Sequence, residues 1–243
     1  MERFSNEITS FWNQQMQKNI IYQDETFSLA VNDELEEDSK VMTLECEDTD
    51  KLMAVVTSGM AETLKLRDEK SMSGQLFTEH LKAAGIYLNG PDHIFYFSES
   101  AKQELLQSPI SATVRKLSAL DEKLFADFTS AASEQDLDDA YVEQDHWIVF
   151  GSFEDGKLVS AASVYPWNEE VKIADLGVIT LSDYRGRGHA RNLVRAICKY
   201  ACEQEYEPQY RCQLDNHASV ALAKASGFSL FGKWDVISPE FTA

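Results

Sequence analysis

Hydrophobic spacing switches repeatedly between helix and strand periods along this chain. Ile8, Phe11, Trp12 and Met16 share one helical face and predict a first helix over residues 5–20. Residues 27–31 and 41–44 read as short strands, separated by an acidic, solvated turn at 32–38, and residues 49–64 read as helix. After a break at Ser71-Met-Ser-Gly74, the positions Leu76, Phe77, His80, Leu81 and Ala84 return to helical spacing as far as Gly85. Asn89-Gly-Pro91 is a turn signal, and Ile94-Phe-Tyr-Phe97 is a compact apolar run of strand type. Pro109 ends any helix begun near Ser98, which makes residues 101–109 the expected linker.

From Ser111 the pattern predicts the order β-α-α-β-β-β-α-β-α-β. The strands are expected at 113–117, 146–153, 158–165, 171–180 and 210–214, with a final extended pair over 228–237. The helices are expected from Ser118, at 133–142, at 187–204 and at 216–226. Three central antiparallel strands followed by a long crossover helix imply a mixed sheet, so the fold class is α/β. The domains are set at residues 1–108 and 109–243. Ser39–Ser58 and Ser111–Ser130 align without gaps at six identical positions, among them Lys51/Lys123 and Leu52/Leu124, a faint sign of a duplicated strand-helix start or of chance.

A chain of 243 residues is long enough for one large or two modest domains, each with a core. Its 41 acidic and 22 basic residues give a net charge of −19, which argues against general nucleic-acid or anionic-membrane binding and leans toward cationic acceptors such as amines. The N-terminus lacks the charged-then-apolar order of a secretory signal, and no apolar run has membrane-spanning length, so a cytoplasmic protein is expected. Four cysteines do not suggest a disulfide framework. Cys198 lies in the apolar stripe of a predicted helix, so it and Cys202 read as small core residues, and no metal is expected.

Against this acidic background one segment stands apart. From Tyr184 through Cys202 there is no Asp or Glu, while Arg185, Arg187, Arg191, Arg195 and Lys199 are basic. Tyr184-Arg-Gly-Arg-Gly-His-Ala190 joins an apolar strand to an amphipathic helix. A helix start leaves backbone N–H groups unpartnered at the positive end of the dipole, which suits phosphate. The N–H groups of Gly186, Gly188, His189 and Ala190 are the expected donors, with glycines allowing close approach. Arg185, Arg187 and Arg191 are of the type that forks onto phosphate oxygens. An ordinary solvated helix face accounts better for Arg195 and Lys199.

Residues 111–243 resemble the GNAT acetyltransferase superfamily. Arg185, Gly188 and Ala190 fit the family's Q/R-x-x-G-x-G/A phosphate loop. The upstream strand Leu176-Gly-Val-Ile-Thr180 resembles its cofactor-binding strand, and Asn216 to Phe228 its second, Asn-led signature ending in Gly-Phe. The resemblance implies acetyl-CoA as cofactor, with main-chain groups of Val178, Ile179 and Thr180 facing its thioester and pantetheine arm. It also implies direct attack by a primary amine in a ternary complex. Residues 1–110 lack the loop and are similar to the degenerate first copy of tandem GNAT proteins.

Three residues carry the chemical reading. Asp175 is the lone acid within the apolar strand 173–180: it is either a base whose pKa rises in an apolar wall, or a strand-edge acid facing solvent. Glu169 and Glu170 belong to a solvated turn. Asn216 either bonds the cofactor or caps the following helix, two compatible roles. The third is a departure: the family's usual Tyr, whose hydroxyl protonates the departing thiolate, is here Ala223. Cys212, Ser219, His217 and Tyr184 are then the candidate acids. No GxSxG, Walker or Ser-His-Asp order supports hydrolase or nucleotide-triphosphatase chemistry. The expectation is an N-acetyltransferase acting on a small-molecule or peptide amine, as monomer or homodimer. The alternative is a catalytically silent acyl-CoA-binding regulator.

Overall fold

The computed structural model describes residues 3–49, 51–69, 71–168 and 170–241. In chain order the helices are α1 (Asn6–Met16), α2 (Ser58–Thr63), α3 (Gly74–Ala83), α4 (Glu99–Gln107), α5 (Glu122–Thr129), α6 (Glu134–Ala140), α7 (His189–Glu203) and α8 (His217–Ser226). The strands are β1 (Ile20–Gln23), β2 (Phe27–Val31), β3 (Val41–Cys46), β4 (Leu52–Val56), β5 (Asp92–Tyr96), β6 (Val114–Lys116), β7 (Ile148–Glu154), β8 (Lys157–Pro166), β9 (Ile173–Thr180), β10 (Glu207–Gln213) and β11 (Ser229–Val236). The order from β6 to β11 is the one expected from the apolar pattern.

The chain forms two compact units. One comprises Met1–Glu7, Phe95–Arg211 and His217–Ser229; the other comprises Ile8–Ile94, Cys212–Asn216 and Leu230–Ala243. A single cut at 108/109 does not separate them. The physical reason is strand pairing: β11, from the end of the chain, pairs antiparallel with β3 through Trp234↔Leu44 and its neighbours. The expected linker at 101–109 is mostly α4, capped by the Ser98 side chain and closed at extended Ser108 before Pro109.

In the first unit the strands run in the order β10-β9-β8-β7-β6, parallel between β10 and β9 and antiparallel elsewhere. This is the mixed sheet predicted. The β7–β8 hairpin turns through Asp155 and Gly156, with φ of 49° and 79°, the left-handed pair that a two-residue hairpin needs. Alternation along β7 sorts its faces. Phe150 meets Tyr200 of α7 at 5.7 Å between rings, whereas Val149 joins Phe125, Phe128, Val142, Ala161 and Ile179 in a core under α5 and α6. Helix α7 buries Leu193, Val194, Ile197, Cys198, Ala201 and Cys202. Burial pushes the Cys202 thiol up to about 12 and Cys198 well above its ordinary value, so both behave as apolar core groups.

Gly177 on β9 sits beneath the end of α6. A Cβ there would lie 2.1 Å from the Ala140 carbonyl oxygen, a backbone atom that can retreat only with its helix. Gly177→Ala is expected to lower stability by about 1–3 kcal/mol, read by urea unfolding. An unchanged urea midpoint would show that α6 can lift freely.

The second unit orders its strands β1-β2-β4-β3-β11, with β2 and β4 parallel. All four apolar residues expected on one face of α1 are buried: Ile8, Phe11, Trp12 and Met16. Residues 49–64 are not one helix. Leu52–Val56 forms β4, paired on both edges with β2 and β3, and α2 follows after the Thr57 cap. The β-branched pair Val55-Val56 and burial on both sides favour strand there. The sequence echo also dissolves: residues 52–56 are strand, while their counterparts at 124–128 lie in α5. The final extended segment is a single strand, β11, rather than a pair.

Candidate active site

Strand β9 ends at Thr180, a short 3-10 turn covers Ser182–Tyr184, and α7 starts at His189. Gly186 and Gly188 have φ of 74° and 86°, a left-handed backbone that turns the chain sharply into the helix. A Cβ on either would meet nothing within 4 Å, so glycine is demanded here by φ rather than by crowding within the chain. The first α7 bond, from Asn192 N–H to the Gly188 carbonyl at 3.0 Å, leaves the N–H groups of His189, Ala190 and Arg191 outside the helical ladder. The first turn carries no acid, and the loop is exposed. Main-chain donors so arranged suit an anion.

The loop's side chains are engaged with the protein. Arg185 donates from Nε to the Thr180 carbonyl at 3.0 Å and from Nη2 to Asp136 at 2.7 Å. Arg187 donates from Nη1 to Glu154 at 2.8 Å and from Nη2 to the Asp183 carbonyl at 2.8 Å. His189 is bonded through both ring nitrogens, to Ser152 Oγ at 3.0 Å and to the second Glu154 oxygen at 2.9 Å. Arg191 is exposed and has no ion-pair partner among the described residues. Arg195 and Lys199 do not form the solvated face expected of them. They fasten α7 to the Ser226 carbonyl and to Ser108.

Beside this corner the sheet opens. β10 pairs with β9 at Glu207↔Ile173, Pro208↔Ala174 and Gln209↔Asp175, and the register stops there, while β9 stays paired with β8 as far as Ser160↔Thr180. Leu181 N–H bonds the Val159 carbonyl, which fixes the alternation: odd residues of β9 face β8, even residues face the open side. Val178 and Thr180 therefore turn their main-chain groups toward the gap, and Arg185 already holds the Thr180 carbonyl. Ile179 faces the other way. Its carbonyl accepts from Ser160 Oγ at 2.8 Å and its side chain is core, so it does not offer the open-side contact expected of it.

Asp175 stands where pairing ends. It is buried, but not in an apolar wall. Gln209 Nε2 donates to one oxygen at 2.6 Å and Arg211 Nη2 to the other at 2.8 Å. The Tyr96 hydroxyl bonds Gln209 in turn. Tyr165, opposite Asp175 on β8, has its hydroxyl pushed up to about 12 by burial and then by the Asp175 charge. The Arg211 guanidinium lies 5.8 Å from the Trp167 ring centre. Next to it Tyr141, His146 and Tyr165 form an aromatic group with centroids 4.7–5.3 Å apart. The alternation Gln209-Tyr210-Arg211 on β10 was the sequence signal for these partners. Glu170 is exposed, and Glu169 lies outside the described residues.

His146 is held through Nδ1 by Ser163 Oγ at 2.8 Å, and burial lowers its pKa from 6.5. A histidine with a depressed folded pKa contributes stability above its unfolded value and loses it as pH falls through the folded one. Stability is thus expected to decline as pH drops below about 6.5, and His146→Gln should flatten that part of a urea-unfolding pH profile. An identical slope in the variant would assign the decline elsewhere.

Ala223, at the position where the resemblance leads one to expect a Tyr hydroxyl, is fully buried. Among the alternatives, Tyr184 lies beside the loop, under Arg187 and 6.4 Å from the His189 ring. The Cys212 thiol is raised to about 12 by burial, His217 is exposed, and Ser219 is half-buried. Asn216 directly precedes α8, with its N–H on the Gln213 carbonyl at 3.1 Å.

Residues 117–228 match the model of the Acetyltransferase (GNAT) family. The match covers both the glycine corner and the opening between β9 and β10. GNAT-family proteins of solved structure from Novosphingobium aromaticivorans and Colwellia psychrerythraea are 16% and 19% identical over 63% and 62% of this chain, with TM-scores of 0.45 and 0.47. The chain spans 66% and 57% of their lengths, less than two thirds of each. A functionally unknown conserved protein from Staphylococcus epidermidis aligns with 96% of this chain and 99% of its own at 10% identity and a TM-score of 0.49. No curated protein sequence matches. Among the described residues no helix is long and apolar enough to cross a membrane.

Proposed function

We propose that this protein transfers the acetyl group of acetyl-CoA to a primary amine of a small molecule or peptide by direct attack in a ternary complex. The observation that carries the reading is the adjacency of two features: the α7 anion seat and the open side of β9. Main-chain donors at Gly186, Gly188, His189, Ala190 and Arg191 suit a diphosphate, and their fit rests on positive φ at both glycines and on the absence of acid in the first turn. The Val178 N–H faces the gap, which supports a role in stabilising charge on the thioester oxygen. Acetyl-CoA supplies an activated acyl group; the chain orients it and receives the proton.

Asp175 is the proposed proton acceptor, directly or through a water, since a carboxylate at the strand opening can hold an ammonium and take its proton. Its two bonds from Gln209 and Arg211 fix the oxygens in place. Asn216, before α8, is proposed as a further cofactor contact. Incubation of the protein with acetyl-CoA and a panel of amines, followed by thiol release, tests the reading. Amine-dependent release is expected; binding without release would instead support a silent acyl-CoA-binding module. That second reading rests on Ala223, which puts a methyl group where the family's proton donor stands.

A further inference from the structure

We infer that Glu154, at the end of β7, is a positioning residue that holds the phosphate loop in its binding shape, and that the side chains of Arg187 and His189 are tethers to it rather than phosphate ligands. The inference rests on the proposed binding of acetyl-CoA at this loop. Its two carboxylate oxygens divide the loop between them: one accepts from Arg187 Nη1 at 2.8 Å, the other meets His189 Nε2 at 2.9 Å. The His189 ring is clamped from the far side by Ser152, a fully buried residue of the same strand. Arg187 also holds the Asp183 carbonyl, so the two residues either side of Gly188 are both tied down. Gly188 itself, at φ 86°, cannot be restrained by a side chain of its own. Anchoring its neighbours is what keeps three N–H groups pointing one way, and it removes the entropy that a glycine loop would otherwise lose on binding.

The arrangement makes an unusual demand on sign. A carboxylate close to a diphosphate seat repels the ligand, so if the Arg187 and His189 side chains were ligands held back by Glu154, removing its charge would free both side chains and tighten binding. If they are tethers, removing the charge loosens the loop and weakens binding. Calorimetry with acetyl-CoA at several salt concentrations reads the difference in wild type, Glu154→Gln and Arg187→Gln. The expected result is roughly tenfold weaker binding in both variants, with the salt dependence of the affinity unchanged in Arg187→Gln. Tighter or unchanged binding in Glu154→Gln overturns the inference, and so does a shallower salt dependence in Arg187→Gln, which would mark a direct phosphate contact. Wild type that binds no acetyl-CoA would overturn the proposed function itself, and this inference with it. Glu154 is one-third exposed, so circular dichroism of Glu154→Gln checks that the fold persists, and Arg187→Gln supplies an independent arm.

Discussion

Gly188→Glu is expected to abolish measurable acetyl-CoA binding, a loss of at least about a hundredfold, while leaving the protein folded. Position 188 has φ of 86°, where any side chain strains the backbone by about 1–2 kcal/mol. The new Cβ meets no atom, so no clash adds to that cost. The carboxylate lies at the N-terminus of α7, where the dipole returns about 0.3–1 kcal/mol. Stability should therefore fall by little, and the melting temperature by only a few degrees, about 2–4 °C per kcal/mol for a chain of this size. Binding is affected far more, because the anion seat then holds an anion covalently. Gly188→Ala separates the effects: it carries the strain without the charge and should bind with intermediate affinity. Calorimetry and thermal melting of the two variants make the comparison. A Gly188→Glu protein that binds acetyl-CoA as wild type does would place the cofactor elsewhere.

The second large effect is on rate. Asp175→Asn is expected to lower kcat by about a hundredfold or more, the usual contribution of a positioned base, with acetyl-CoA affinity nearly unchanged. Geometry makes the substitution more than a charge deletion. Asp175 receives a donor on each oxygen, from Gln209 and from Arg211. Asparagine has one acceptor oxygen and one NH2, so one of those donors would face another donor. A stability loss of about 1 kcal/mol should accompany the rate loss, kept small because Arg211 remains 30% exposed to solvent. Steady-state kinetics with the best amine and direct titration of acetyl-CoA separate the terms. A fall in cofactor affinity equal to the fall in kcat would make Asp175 a structural support of the strand opening.

The parts of this site differ in how far they could be read from sequence, and the reason is range. The glycine corner is local: an apolar strand, Gly186, Gly188 and an amphipathic helix with no acid before its last residue follow one another directly, so their chemistry shows in one stretch. The strand order from β6 to β11 is legible for the same reason, since each apolar run carries its own period. The partners of the loop are not local. Arg187 and His189 find Glu154 more than thirty residues upstream, and Arg185 finds Asp136 further still. Reading Arg185 and Arg187 as phosphate forks takes their charge into account but not the acids that tertiary folding brings to them. Asp175 shows the same limit. Its environment is set by Gln209 and Arg211 on the neighbouring strand, joined only through the parallel β9–β10 register. Residues 52–56 satisfy either period in sequence, and pairing with β2 on one edge and β3 on the other decides for strand.

Backbone amides at the β9–α7 corner are the core of the account, and they can be observed one by one. Titrating acetyl-CoA into ¹⁵N-labelled protein and following amide resonances tests them most directly. The largest shifts are predicted at Gly186, Gly188, His189, Ala190 and Arg191, with Val178 moving in the same titration. Saturable binding that leaves these six amides in place while others move would contradict the assignment.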